Sequence, residues 1–131
     1  MDIESSSEDA VDRVEGSAPA GERIGMVVGL RPEAEARYLA LHADPWRGVL
    51  DRLTASHITD YSIHLARLGG RIYLFSRFTY TGDDFEGDLR AMGEDEETQR
   101  WWAETDPCQI VLEGTPDGEQ WLTLPEVFYH A

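Results

Sequence analysis

The chain has no lysine and one cysteine, and no apolar run near the roughly 18–20 residues needed to cross a bilayer. Each shortage excludes a class of chemistry. Without lysine, a Schiff base could form only at the amino terminus. Cys108 alone supports neither an internal disulfide framework nor a site of several thiolates. Bases are scarce as well: eleven arginines stand against 26 acids, giving a net charge of −15. Binding to phosphate backbones relies on cationic side chains, so nucleic acid is excluded as a partner. The opening MDIESSSEDA has no apolar core of a secretory signal, and a membrane partner is not expected; the default expectation is a cytoplasmic protein.

What is present is one domain's worth of chain, 131 residues, 41% hydrophobic and 10% aromatic. Residues 1–22 read as an acidic disordered tail. Seven acids, a serine triplet and one arginine occur there with no aromatic residue and no hydrophobic period, so burial cannot offset the entropy of ordering them. Residues 23–131 read as the folded domain. Arg23–Leu30 predicts a strand, followed by a helix with Pro32 in its first turn. Helical periodicity runs from Pro32 to Ser56 with a break at Pro45. Thr59–Ala66 and Arg71–Tyr80 predict strands flanking the tight turn Leu68-Gly69-Gly70. Asp83–Met92 and Glu94–Thr105 predict helices, and a proline- and glycine-rich loop leads to a last strand over Trp121–Tyr129. The order β-α-β-β-α-β is the ferredoxin-like α+β arrangement, an antiparallel sheet with helices on one face. In the predicted hairpin Leu65 faces Leu74, Ile63 faces Ser76 and Tyr61 faces Phe78, while His64 meets Phe75 and Ala66 meets Tyr73. Both faces are then largely apolar, so the second face should be covered too, by a partner subunit or by the long loop.

The residues suited to chemistry are His42, four residues after Tyr38 and hence on the same helical face, together with Tyr61 and the pair Trp101-Trp102. Adjacent helical residues point about 100° apart, so one indole can enter the core while the other lines a pocket. Such an imidazole, two phenols and two indoles suit a neutral sugar ring and simple proton transfer. Ordinary packing also accounts for each tyrosine singly, and His42 also fits a helix-end histidine stabilised by the negative end of the helix dipole. Glu126 is expected on an edge or paired with an arginine, Arg77 being a candidate. Asp60 and Asp106 fit turn or cap roles. His57 and His64 lack metal spacing. The acidic run Glu94–Glu97 suits a helix N-terminus, and Cys108 is expected to pack.

Taken in order, H-x-x-x-W at His42–Trp46, D-Y-x-I at Asp60–Ile63, W-W at Trp101-Trp102 and E-V-F-Y at Glu126–Tyr129 resemble the L-rhamnose mutarotase family, over about Arg23 to Tyr129. That resemblance implies a homodimer of the dimeric α+β-barrel kind and an aldose 1-epimerase working without a cofactor or metal. It implies His42 as the proton donor, and Tyr38, Tyr61, Trp101 and Trp102 as residues that bind the monosaccharide. The stretch Trp46-Arg47-Gly48-Val49, the stretch Thr105–Gln109 and the long loop through Glu119 depart from the rhamnose pattern, so L-rhamnose and L-fucose, both 6-deoxyhexoses, remain alternatives. Two rival readings stay open: a cofactor-free monooxygenase on a similar barrel, since a fold does not dictate its chemistry, and a noncatalytic sugar-binding or dimerisation module.

Overall fold

The computed structural model describes residues 21–131; the expected acidic tail lies, but for its last two residues, outside them. Strand β1 (Glu22–Leu30) starts one residue before the expected domain boundary. A 3-10 turn at Pro32–Ala34 leads into α1 (Glu35–Ala43), and α2 spans Arg47–Ala55. Pro45 separates the two helices because its ring and missing N–H do not allow α1 to continue. Strands β2 (Ile58–Leu68) and β3 (Arg71–Tyr80) form the hairpin, followed by α3 (Phe85–Gly93) and α4 (Glu96–Thr105). Both turn glycines have positive φ, +58° at Gly69 and +79° at Gly70, the backbone that a two-residue hairpin favours. Side-chain caps start the last two helices: Asp84 accepts from Gly87 N, and Asp95 from Thr98 N.

The antiparallel sheet runs β2-β3-β1-β4, where β4 is only Gln109–Ile110, reached through a second 3-10 turn at Asp106–Cys108. A fifth strand, β5 (Leu122–Leu124), pairs with the same edge of β1. Here the expectation of one long strand over Trp121–Tyr129 is corrected. The fourth position in the sheet is filled by two short pieces, Gln109–Ile110 against Gly29–Leu30 and Leu122–Leu124 against Gly25–Val27, with the loop between them. Pro125 follows β5 and has no N–H to carry the ladder onward. Gly29 is needed where β4 approaches: a Cβ there would stand 3.0 Å from that of Ile110.

The hairpin register is the expected one from Ser62 to Leu68. Nearer the strand's start, Asp60 and Tyr61 together oppose the single residue Phe78, a β-bulge with Asp60 at φ +53°. Arg77 donates to the Asp60 carboxylate at 2.6 Å. Glu126 therefore pairs not with Arg77, as the sequence suggested, but with Arg23, whose Nε and Nη2 reach its two carboxylate oxygens at 2.9 and 3.0 Å.

Two apolar clusters lie on the sheet face that meets the helices. One gathers Val28, Leu30, Tyr38, Ile72, Leu74 and Cys108; the other gathers Ile58, Phe78, Tyr80 and Met92. Ser76 sits between them on β3, buried, and its hydroxyl has no hydrogen-bond partner among the described residues. On the opposite face Tyr73 and Phe75 remain half-buried, with ring centroids 6.5 Å apart.

Candidate active site

Between the helices and the inner face of the sheet lies a cavity of about 970 Å³. All five of the expected residues, Tyr38, His42, Tyr61, Trp101 and Trp102, line it. They come from three elements far apart in sequence: α1, the bulge of β2, and α4.

Helix α1 buries one residue, Tyr38, and that choice fixes His42 one turn later on the same side. The two rings stack with centroids 4.2 Å apart and 28° between planes. Trp101 meets the imidazole edge-on at 5.2 Å, and Trp46 meets Trp101 edge-on at 5.2 Å. The break at Pro45 thus places Trp46 where it backs the tryptophan that touches His42. His42 Nδ1 lies 2.9 Å from the Tyr38 carbonyl oxygen. A carbonyl can only accept, so Nδ1 carries the hydrogen, and in the neutral ring the lone pair belongs to Nε2. The nitrogen left for a ligand is the one able to take up and return a proton.

Of the tryptophan pair, Trp101 is buried and Trp102 is 37% exposed, the division that adjacent helical positions predict. Tyr61 is 40% exposed and lines the cavity. Burial raises its pKa, and the Ser76 hydroxyl beside it moderates the rise without completing a hydrogen bond. Burial likewise lifts Tyr38 well above the ordinary phenol range, partly opposed by a hydrogen bond from Gln109. Both phenols therefore keep their protons at neutral pH.

Several residues of the wall had no prominence in the sequence. Gln109 Nε2 donates to the Tyr38 hydroxyl at 3.2 Å, and Gln120 Nε2 donates to Gln109 Oε1 at 3.0 Å. Trp121 also lines the cavity. No spacing rule could join Gln109 to Gln120, because the loop between them brings their side chains together. Asp106, expected as a cap or turn residue, does end α4, and it also lines the cavity, where partial burial raises its carboxyl pKa. The other histidines lie elsewhere. His57 pairs with Asp88, His64 contacts Ser62, and His130 is exposed in the last residues. Cys108 packs in the first cluster. Among the described residues no group of three or more His, Cys, Asp and Glu side chains is placed to hold a metal ion, and no helix is long and apolar enough to cross a membrane.

The family model described as L-rhamnose mutarotase matches residues 23–130. A relative from Jannaschia sp. (strain CCS1), named L-rhamnose mutarotase, is 31% identical over 109 residues, covering 82% of this chain and 97% of the relative. Among solved structures, that of an L-rhamnose mutarotase from Formosa agariphila has a TM-score of 0.63 at 22% identity, covering 84% of this chain and 99% of that one. The structural likeness shows the shared α+β fold, of the dimeric α+β-barrel type. With a model spanning nearly the whole described chain and a relative matched over almost its full length, this protein belongs to the L-rhamnose mutarotase family, a family of isomerases.

Proposed function

We propose that the protein interconverts the α and β anomers of L-rhamnose by general acid–base ring opening and closure, with His42 as proton donor. The observation that carries this reading is the fixed imidazole. Its Nδ1–H is committed to the Tyr38 carbonyl, so Nε2 remains as the proton-transferring atom on the wall of a cavity with room for a monosaccharide. Mutarotation requires a proton delivered to the ring oxygen and another removed from the anomeric hydroxyl, then the reverse about the rotated carbonyl. Histidinium Nε2–H supplies the first. Water or a carboxylate on the wall, such as Asp106, takes the second. Tyr38, Tyr61, Trp101 and Trp102 bind the sugar: the indoles cover its C–H faces, and the phenols meet its oxygens. None of these steps calls for a metal or an organic cofactor.

L-Rhamnose is preferred over L-fucose because the named relatives are L-rhamnose mutarotases. Saturation-exchange NMR on both sugars tests the reading. Faster α/β exchange of rhamnose than of fucose, abolished by His42→Ala, is the expected result. No acceleration of either sugar, or wild-type rates in His42→Ala, overturns it.

We also propose that residues 23–131 form the catalytic domain and act as a homodimer. Val127 is 93% exposed and Phe128 80% exposed, and the half-buried Tyr73 and Phe75 lie on the sheet face away from the helices. Apolar surface of that kind favours a protein partner. Sedimentation velocity should give a dimer of 14.8 kDa chains; a concentration-independent monomer refutes it.

A further inference from the structure

The proton-transfer steps leave one polar network of the cavity unused. It starts at a backbone carbonyl: Gln120 Nε2 donates to Asp106 O at 3.3 Å and to Gln109 Oε1 at 3.0 Å. Gln109 Nε2 then donates to the Tyr38 hydroxyl oxygen at 3.2 Å. The direction of the chain is forced. A carbonyl cannot donate, so the group Gln120 turns to Asp106 must be its NH₂. Its second N–H meets Gln109, which must answer with oxygen and so present its own NH₂ to Tyr38. Gln109 is 5% exposed, and reversing its amide would turn its NH₂ against the NH₂ of Gln120, leaving a donor unpaired at a buried side chain. The Tyr38 oxygen therefore accepts from the protein, and its O–H has no acceptor among the described residues. Tyr38 lines the cavity beside His42.

We propose that Gln109, oriented by Gln120, is a positioning and specificity-determining residue that presents Tyr38 to the sugar as a hydrogen-bond donor. The inference rests on the sugar-binding reading above and adds what Tyr38 recognises: an oxygen that offers a lone pair, either the ring oxygen or a hydroxyl turned oxygen-first. A sugar epimer that places a hydrogen there loses the contact. Gln109 and Gln120 bracket the loop between β4 and β5, so the two ends of that loop set the donor state of a residue on α1.

The experiment labels tyrosine with ¹³C at Cζ and records the full chain as wild type, Gln109→Leu, Gln109→Glu and Tyr38→Phe. Tyr38→Phe identifies the resonance. The anomer-exchange rate and its KM for L-rhamnose are measured on the same samples. Loss of the accepted hydrogen bond in Gln109→Leu should shift the Tyr38 resonance and raise KM about fivefold, the effect of one hydrogen bond, with kcat within twofold of wild type. Gln109→Glu draws the phenol proton inward and should match Tyr38→Phe in KM. In the Tyr38→Phe background Gln109→Leu should add less than twofold, because both changes remove one interaction. A Tyr38 resonance that does not move, or penalties that multiply in the double variant, overturns the proposal. If the wild type neither binds nor exchanges sugar, the functional reading fails by itself, while the ¹³C shift still decides whether Gln109 governs Tyr38. Should Gln109→Leu not fold, Gln120→Leu releases the Gln109 amide from outside and should give a smaller shift in the same direction.

Discussion

Each apolar cluster on the sheet contains one tyrosine and has one histidine beside it, and the two tyrosines are wired differently. In the first cluster Tyr38 accepts a hydrogen bond from a neutral amide, and His42 gives its Nδ1–H to a backbone carbonyl. In the second, Tyr80 donates to the Asp88 carboxylate at 2.5 Å and accepts from Asp84 N, while His57 Nδ1 approaches the same carboxylate at 3.0 Å. Tyr80 is buried. The first pair leaves a phenol proton and an imidazole nitrogen to a ligand. The second commits the Tyr80 proton to a carboxylate on α3 that also holds Nδ1 of His57, in the turn before β2, and neither residue lines the cavity. Similar residues thus line the cavity in one place and form a clamp in the other, and what differs is whether the phenol proton is given to an anion and whether the histidine faces the cavity.

The sharpest way to break this comparison is to remove each histidine in turn. His42→Ala should lower the catalysed anomer-exchange rate by about 10²–10⁴-fold, the span of a general acid–base contribution, with little effect on melting temperature. His57→Ala should leave exchange within about twofold and act on stability instead, as surface ion pairs do weakly. Equal losses of activity in both would erase the distinction. The tyrosines come next. Tyr38→Phe should raise KM for the sugar about tenfold, the loss of one well-placed hydrogen bond, while Tyr80→Phe should leave KM unchanged and lower the melting temperature. Steady-state exchange kinetics and thermal unfolding on the same preparations separate the two.

Acid unfolding sharpens the clamp side. The hydrogen bond from Tyr80, and then that from His57, holds the Asp88 carboxyl below its ordinary value. A carboxylate with a depressed pKa in the folded state adds stability that is complete above the unfolded value, near 4, and is lost as pH falls through the folded one. Asp88→Asn should flatten the decline in chemical-denaturation stability below about pH 4 and leave the neutral-pH exchange rate alone. The smallest effect is expected at Ser76, between the clusters. Its hydroxyl is buried without a partner, so Ser76→Ala should change stability by less than about 1 kcal/mol, in the stabilising direction, in urea titration. A marked loss would mean that the hydroxyl does bond Tyr61.

Much of this was legible in the chain. Except for the last strand, strand and helix positions followed from period and from Pro32, Pro45 and the Gly69-Gly70 turn, because those signals are local. Tyr38 and His42 could be placed on one face because helical spacing is fixed. Tyr61 could be set opposite Phe78, but the bulge could not, since alternation stays intact on both sides of Asp60 and only pairing with β3 reveals the extra residue. The Arg23–Glu126 pair was missed for a similar reason: strand order, not chain proximity, decides which arginine lies near the end of the chain.

The sequence by itself determined most of the elements, the ferredoxin-like order, the family and five of the side chains that line the cavity, because periodicity and motif order are properties of the chain. Only the tertiary structure decided that the last strand is split across the edge of β1 and that Gln109 meets Gln120 across their loop. It also decided which of these histidines lines the cavity, and which of Tyr38 and Tyr80 keeps its O–H free of an acceptor among the described residues. Those outcomes depend on hydrogen-bond partners supplied from distant segments, and the direction of a hydrogen bond is not written in the identity of either residue alone.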